Sequence, residues 1–195
     1  MELVWNQPCG SHDYGTNNYT SGKITTMDKF WQKYGYFEAS ISVPRSENLW
    51  PAYWMLMEPY TNNAEETSWP PEVDIMEIVG MPGGAVTSLS CNVAVGGNYP
   101  LCGGGLASMD HVTASGLSDL TTGFHAYGYQ WTPTNHTFWV DGVKIGATSA
   151  HPDTNYPMWV ILQLAILEEP VGALPAAMEV NYVRVYASGV SDANP

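Results

Sequence analysis

Short runs in which apolar and polar residues alternate, cut apart by turn signals, restrict this chain to sheet. Phe37, Ala39, Ile41 and Val43 alternate with Tyr36, Glu38, Ser40 and Ser42, which makes a strand with one apolar face. Further strands are expected over residues 86–95, 124–131, 137–140 and 178–186. Asp141-Gly142, between Val140 and Val143, is a two-residue hairpin signal because glycine accepts positive φ. The apolar stretch 158–167, broken by Gln163, is too short to cross a bilayer and reads as a central strand. Pro-rich and Gly-rich stretches at 58–71, 96–105 and 168–175 read as loops, where binding diversity concentrates. Convincing helices are absent. The fold class is therefore all-β, a sandwich. A chain of 195 residues with no linker, repeat or low-complexity tract fits one domain over 1–195.

One strand breaks the pattern. In Trp69-Pro70-Pro71-Glu72-Val73-Asp74-Ile75-Met76-Glu77-Ile78-Val79-Gly80, three carboxylates stand among Val, Ile and Met. An unpaired ionised carboxylate taken out of water is costly, or shifts its pKa until it is neutral. A solvent-facing acidic edge strand is the plain alternative, but Val73, Ile75, Ile78 and Val79 ask for burial. Clustered carboxylates of unequal pKa suit proton transfer coupled to nucleophilic attack, most commonly at a glycosidic bond. Glu72 and Asp74 share a face by the two-residue period. Glu77 points away unless an extra residue is inserted, and a β-bulge near Ile75 or Met76 would return it to that face. Four regular steps span roughly 13 Å between Cα atoms. Two glutamates leaning together across that span leave about the 5–5.5 Å carboxyl gap of a retaining glycosidase. Asp74, between them, would hydrogen-bond one carboxylate and hold the other's proton by charge repulsion.

Composition narrows the partners. Six Lys and Arg against nineteen Asp and Glu give a net charge of −13, which argues against nucleic acid and anionic membranes and disfavours sulfated or uronic-acid polymers. A neutral polysaccharide meets no such repulsion, and eight Trp with twelve Tyr offer flat apolar faces for sugar rings. Cys91 and Cys102 flank a Gly-rich loop and could pair, leaving Cys9 free, although connectivity stays open. Asn18-Tyr19-Thr20 and Asn135-His136-Thr137 fit the glycosylation pattern, informative only for a secreted eukaryotic protein. His12, His111, His136 and His151 lack metal-ligand spacing, and His125 reads as structural. No metal and no cofactor is expected. No signal peptide stands at Met1, so export is an expectation drawn from function.

The E-x-D-x-x-E pattern of Glu72, Asp74 and Glu77 resembles the bulged signature of glycoside hydrolase family 16, the laminarinases and β-glucanases. Tyr19-Thr20-Ser21-Gly22-Lys23-Ile24, Tyr34-Gly35-Tyr36-Phe37-Glu38-Ala39, Leu49-Trp50-Pro51-Ala52-Tyr53-Trp54-Met55-Leu56, Phe124-His125-Ala126-Tyr127, Trp131-Thr132-Pro133, Val140-Asp141-Gly142 and Tyr182-Val183-Arg184-Val185-Tyr186 are similar to that family's blocks in its order. The resemblance implies a β-jelly-roll of two curved antiparallel sheets whose concave face forms the substrate cleft. It implies Glu72 as nucleophile, Glu77 as acid/base with a raised pKa, and Asp74 as the auxiliary carboxylate. Trp50 and Trp54, four apart and hence on one side of a strand, and Trp69 become candidates for sugar stacking, with core packing as the alternative.

Two departures bear on substrate choice. Many relatives have a His near the position of Ser90, where it would contact the sugar or the carboxylates, and Gln163 stands where relatives often have Asn. Gln163 can still donate and accept at the groove. Asn181 replaces an Asp that holds calcium in some relatives, so calcium is not expected. Relatives usually carry more strands before the segment resembling Glu2-Leu3-Val4-Trp5, which leaves an edge and the oligomeric state open. The expected function is a secreted retaining endo-glycosidase acting on β-1,3- or mixed β-1,3-1,4-glucan by double displacement. The alternatives are a non-catalytic glucan-binding module, which typically lacks the acidic residues, and a galactan hydrolase or glucan transglycosylase of the same fold.

Overall fold

The computed structural model describes residues 19–57, 71–95, 108–172 and 174–187. In chain order its strands are β1 (Gly22–Thr25), β2 (Gly35–Ser42), β3 (Glu47–Met57), β4 (Glu72–Glu77), β5 (Ser88–Val95), β6 (Ser108–Ser115), β7 (His125–Trp131), β8 (Asn135–Val140), β9 (Val143–Ser149), β10 (Met158–Val171) and β11 (Glu179–Tyr186). Six of them form one antiparallel sheet in the order β1-β10-β3-β4-β5-β6, and five form a second in the order β11-β2-β7-β8-β9. Among the described residues the only helix is a 3-10 turn at Pro152–Thr154, and no helix is long and apolar enough to cross a membrane.

Alternation selects the faces. Phe37, Ala39 and Ile41 of β2 are fully buried, while Tyr36 and Glu38 between them are only partly covered. Tyr127, Tyr129 and Trp131 of β7 and Phe138 and Val140 of β8 point into the same core, which Leu49, Tyr53 and Met55 of β3 and Val160 and Leu162 of β10 close from the other sheet. Each such side chain contributes about 1.5–3 kcal/mol on leaving water. The rings add geometry, with centroids 5.9 Å apart for Phe37–Tyr129 and 5.3 Å for Tyr129–Phe138.

The six-stranded sheet has a second face that carries the function. Opposite the core residues, Ala52, Trp54 and Leu56 of β3 and Trp159 and Ile161 of β10 form a separate apolar cluster, with Trp50 at its side. Pro51 lies inside β3, a place that normally rejects proline. Its carbonyl accepts the N–H of Ile78, just beyond the end of β4. The N–H that proline lacks faces that same flank, where the ladder has stopped.

The expected hairpin is present: Asp141 (φ 49°) and Gly142 (φ 75°) both adopt left-handed backbone, as a type I′ turn requires. The Asp141 carboxylate accepts the Ala126 N–H at 2.8 Å and lies 2.7 Å from His125 Nδ1, so His125 braces this turn. One expectation is corrected. Residues 168–171 continue β10 instead of forming a loop, because β3 and the residue before it supply partners: Asn48 Nδ2 donates to the Glu169 carbonyl at 2.8 Å and Ser46 Oγ to the Val171 carbonyl at 3.1 Å. Cys91 is a free, buried thiol that faces the core, so it makes no disulfide; Cys9 and Cys102 lie outside the described residues. The segment 96–105 and nearly all of 58–71 lie outside them as well.

Candidate active site

The bulge is where the sequence asks for it. On β3, Tyr53 pairs with Met76 and the next residue, Trp54, pairs with Asp74, so Ile75 is extra. On the other flank, Asp74 pairs with Asn92 and Glu77 with Ser90, again with one residue too many on β4. Ile75 and Met76 both turn into the core. Glu77 is thereby returned to the face of Glu72 and Asp74. The carbonyl of the bulged Ile75 accepts the Cys91 thiol at 3.1 Å, which gives a partner to a group the ladder cannot use.

These carboxylates open onto a cavity of about 330 Å³ lined by Trp50, Ala52, Trp54, Glu72, Asp74, Glu77, Gln163 and Ala165. Six of the residues singled out from sequence therefore meet in one groove. Trp69 lies outside the described residues. Ser90 sits on β5 across from Glu77 but is not part of the cavity wall. The residue of β5 that touches the carboxylates is Asn92, two positions on: its Nδ2 donates to Asp74 Oδ2 at 3.1 Å and to Glu77 Oε2 at 2.6 Å. Behind it, His111 Nδ1 of β6 lies 2.5 Å from Asn92 Oδ1. Asn92 goes unremarked in the sequence reading, which considers His111 only as a metal ligand. The available signal was a lone amide between Cys91 and Val93, in a run otherwise suited to burial.

Trp50 does more than offer a ring face, since its Nε1 donates to Glu77 Oε1 at 2.9 Å. Asp74 is 5% exposed and Glu77 9%. Asp74 is held well above the ordinary carboxylate range, first by lost hydration and then by the charges of Glu72 and Glu77. Glu77 is raised too, by burial, while hydrogen bonds from Trp50, Asp74 and Asn92 pull the other way. The two carboxyls share a hydrogen bond, so one proton serves both. As a pair they retain a proton at pH values where separate carboxylates have lost theirs. Chemically, the site combines a proton source, a second carboxylate on the same wall and aromatic faces beside them.

Two antiparallel sheets with a carboxylate-lined groove on the outer face of one have the build of a glycoside hydrolase. The sequence profile of glycosyl hydrolases family 16 matches residues 5–173, and the chain belongs to that family. It is 33% identical over 175 residues to endo-1,3-1,4-beta-glycanase EglC of Rhizobium meliloti, covering 87% of this chain and 34% of that protein. It is 32% identical over 190 residues to glucan endo-1,3-beta-glucosidase A1 of Niallia circulans, covering 86% and 26%. The chain spans about a third or less of the length of these relatives. The catalytic domain of an endo-1,3-beta-glucanase (laminarinase) from Thermotoga petrophila superposes with a TM-score of 0.70 at 27% identity, covering 96% of this chain and 75% of that one.

Proposed function

We propose that this chain hydrolyses β-1,3- or mixed β-1,3-1,4-glucan within the polymer, with retention of anomeric configuration. The observation that carries the reading is the bulge that sets Glu77 beside Glu72 on one groove wall. In the first step Glu77, sharing its proton with Asp74, protonates the leaving oxygen while Glu72 attacks the anomeric carbon. Water then attacks the glycosyl-enzyme, Glu77 takes its proton and Glu72 is released. The Trp50 N–H and the Asn92 amide fix the two oxygens of Glu77, so that its proton is delivered from one place. Trp50 and Trp54 offer sugar-stacking faces, and Gln163, on β10 beside Ala52 of β3, a polar edge.

The substrate class rests on two supports. Two relatives of this sequence are named an endo-1,3-1,4-beta-glycanase and a glucan endo-1,3-beta-glucosidase. A net charge of −13 favours a neutral polymer over a sulfated one. Such polymers lie outside cells, and we place the protein there. Reducing-sugar release from laminarin, lichenan, agarose and xyloglucan tests the assignment, with release expected from the first two. Glu72→Gln should lower kcat by on the order of 10⁴-fold or more while the protein stays folded. Full activity in that variant would refute the assignment, and release from agarose alone would move the substrate to galactan.

A further inference from the structure

The groove is wired to the edge of its sheet. Asp74, Asn92 and His111 stand side by side on β4, β5 and β6 in register. Asn92 is buried, and its amide could turn either end toward the two carboxylates. With its oxygen forward it would face Asp74 and Glu77 with no proton to offer. His111 decides which end is presented. Asn92 Oδ1 can only accept, so His111 Nδ1, 2.5 Å away, must carry the proton of that bond. In the neutral ring Nε2 is then an acceptor, and Thr113 Oγ1, 2.7 Å from it, supplies an O–H. Donation runs one way, from Thr113 to His111 to Asn92 to Asp74 and Glu77.

We infer that His111 and Thr113 are positioning residues, which lock the Asn92 amide with its N–H groups toward Asp74 and Glu77 and so hold Glu77 in its working orientation. The inference rests on the role proposed for Glu77 but can be read without turnover. The Asn92 hydrogen bond draws Glu77 downward against burial. Among the described residues, the other titratable groups near Glu77 are Glu72 and Asp74 on its own strand and the Cys91 thiol behind, which burial keeps neutral. Trp50, Ala52 and Trp54 of β3 and Gln163 and Ala165 of β10 carry no charge. Loss of His111 frees the Asn92 amide to turn, weakens that hydrogen bond and so raises the proton affinity of Glu77.

The test follows the Glu77 side-chain carboxyl by ¹³C NMR titration in the wild type, His111→Ala, His111→Asn and Thr113→Val, with kcat and KM on laminarin measured in parallel. His111→Ala should raise the Glu77 midpoint by about half a pH unit or more, the size of one net hydrogen bond. His111→Asn, whose Nδ2 can occupy the place of the ring Nδ1, should restore most of it, and Thr113→Val should shift it less than the alanine variant does. In turnover, kcat of His111→Ala should fall about tenfold or more, comparable to losses of outer-shell partners in other sites. KM should barely change, and the alkaline limb should move to higher pH. An unmoved Glu77 midpoint in His111→Ala, or equal shifts in the alanine and asparagine variants, overturns the inference. A midpoint that shifts in a protein that hydrolyses no glucan supports the positioning role and instead removes the proposed function. If His111→Ala fails to fold, an unmoved midpoint in Thr113→Val overturns the inference on its own.

Discussion

Asp74 is the residue on which the site's chemistry and its stability pull in opposite directions. Its pKa is raised in the folded protein by burial and by Glu72 and Glu77, so the folded state binds its proton more tightly than the unfolded chain. The stability associated with that proton is complete below the unfolded value, near 3.9, and is lost as pH rises through the folded value. Asp74→Asn removes the charge and keeps polar atoms toward Asn92 and Glu77. We expect the variant to melt with the wild type near pH 4 and to gain about 1–3 kcal/mol over it at neutral pH, the scale for relieving a poorly compensated buried group. Thermal melts across that range would measure the difference, and a gap that narrows as pH rises would contradict this sign. Activity should fall at the same time by roughly 10²-fold, since the pair can no longer share a proton. At this scale sequence was a partial guide. Three carboxylates in an apolar run declare themselves, whereas Ser90 and Asn92 lie two apart on one strand and share a face. Which of them meets the carboxylates depends on the bulge-shifted register, which period two cannot settle.

The bulged strand is the element that turns a pattern into a site. Its effect is to bring a sequence spacing of five back to the reach of four, with Ile75 absorbed into the core and its carbonyl held by Cys91. Deleting Ile75 would give a regular strand in which both glutamates and the aspartate still share a face by period two. Hydrolysis should persist in that variant, at a stability lower by about 2–5 kcal/mol for the lost buried side chain. Adding an alanine after Ile75 stretches the glutamates to as many as six steps, roughly 20 Å, and should abolish turnover in a folded protein. Equal loss in the two variants, assayed on the same glucan with circular dichroism as the folding check, would mean that the bulge does something other than set the face. The existence of the bulge was legible because Glu77 otherwise has no reason to be in a buried strand. The length of β10 was not: its extension through Val171 depends on long-range partners at Ser46 and Asn48, and a segment of acidic residues and proline read locally as loop.

For the molecule as a whole, two sheets share one core and leave the outer face of the six-stranded sheet to the groove. Among the described residues the groove lining comes from the six-stranded sheet alone, while the rings of the five-stranded sheet fill the core beneath β3 and β10. That division was readable in the sequence because alternation is strict on β2, while the runs on β3 and β10 are apolar on both faces, one for the core and one for the tryptophan-lined cleft. The low count of cations completes the picture of a groove open to uncharged polymer. The account depends most on Glu72 being the group that attacks the sugar from the wall it shares with Glu77. A β-glucan oligosaccharide carrying fluorine at C2 and a dinitrophenyl leaving group at C1 departs without a proton and stalls the covalent intermediate, and peptide mass mapping then locates the adduct. The account predicts a single glycosyl ester on Glu72, unaffected by Glu77→Gln; an adduct on another residue, or release of the inverted anomer with no adduct formed, would contradict it.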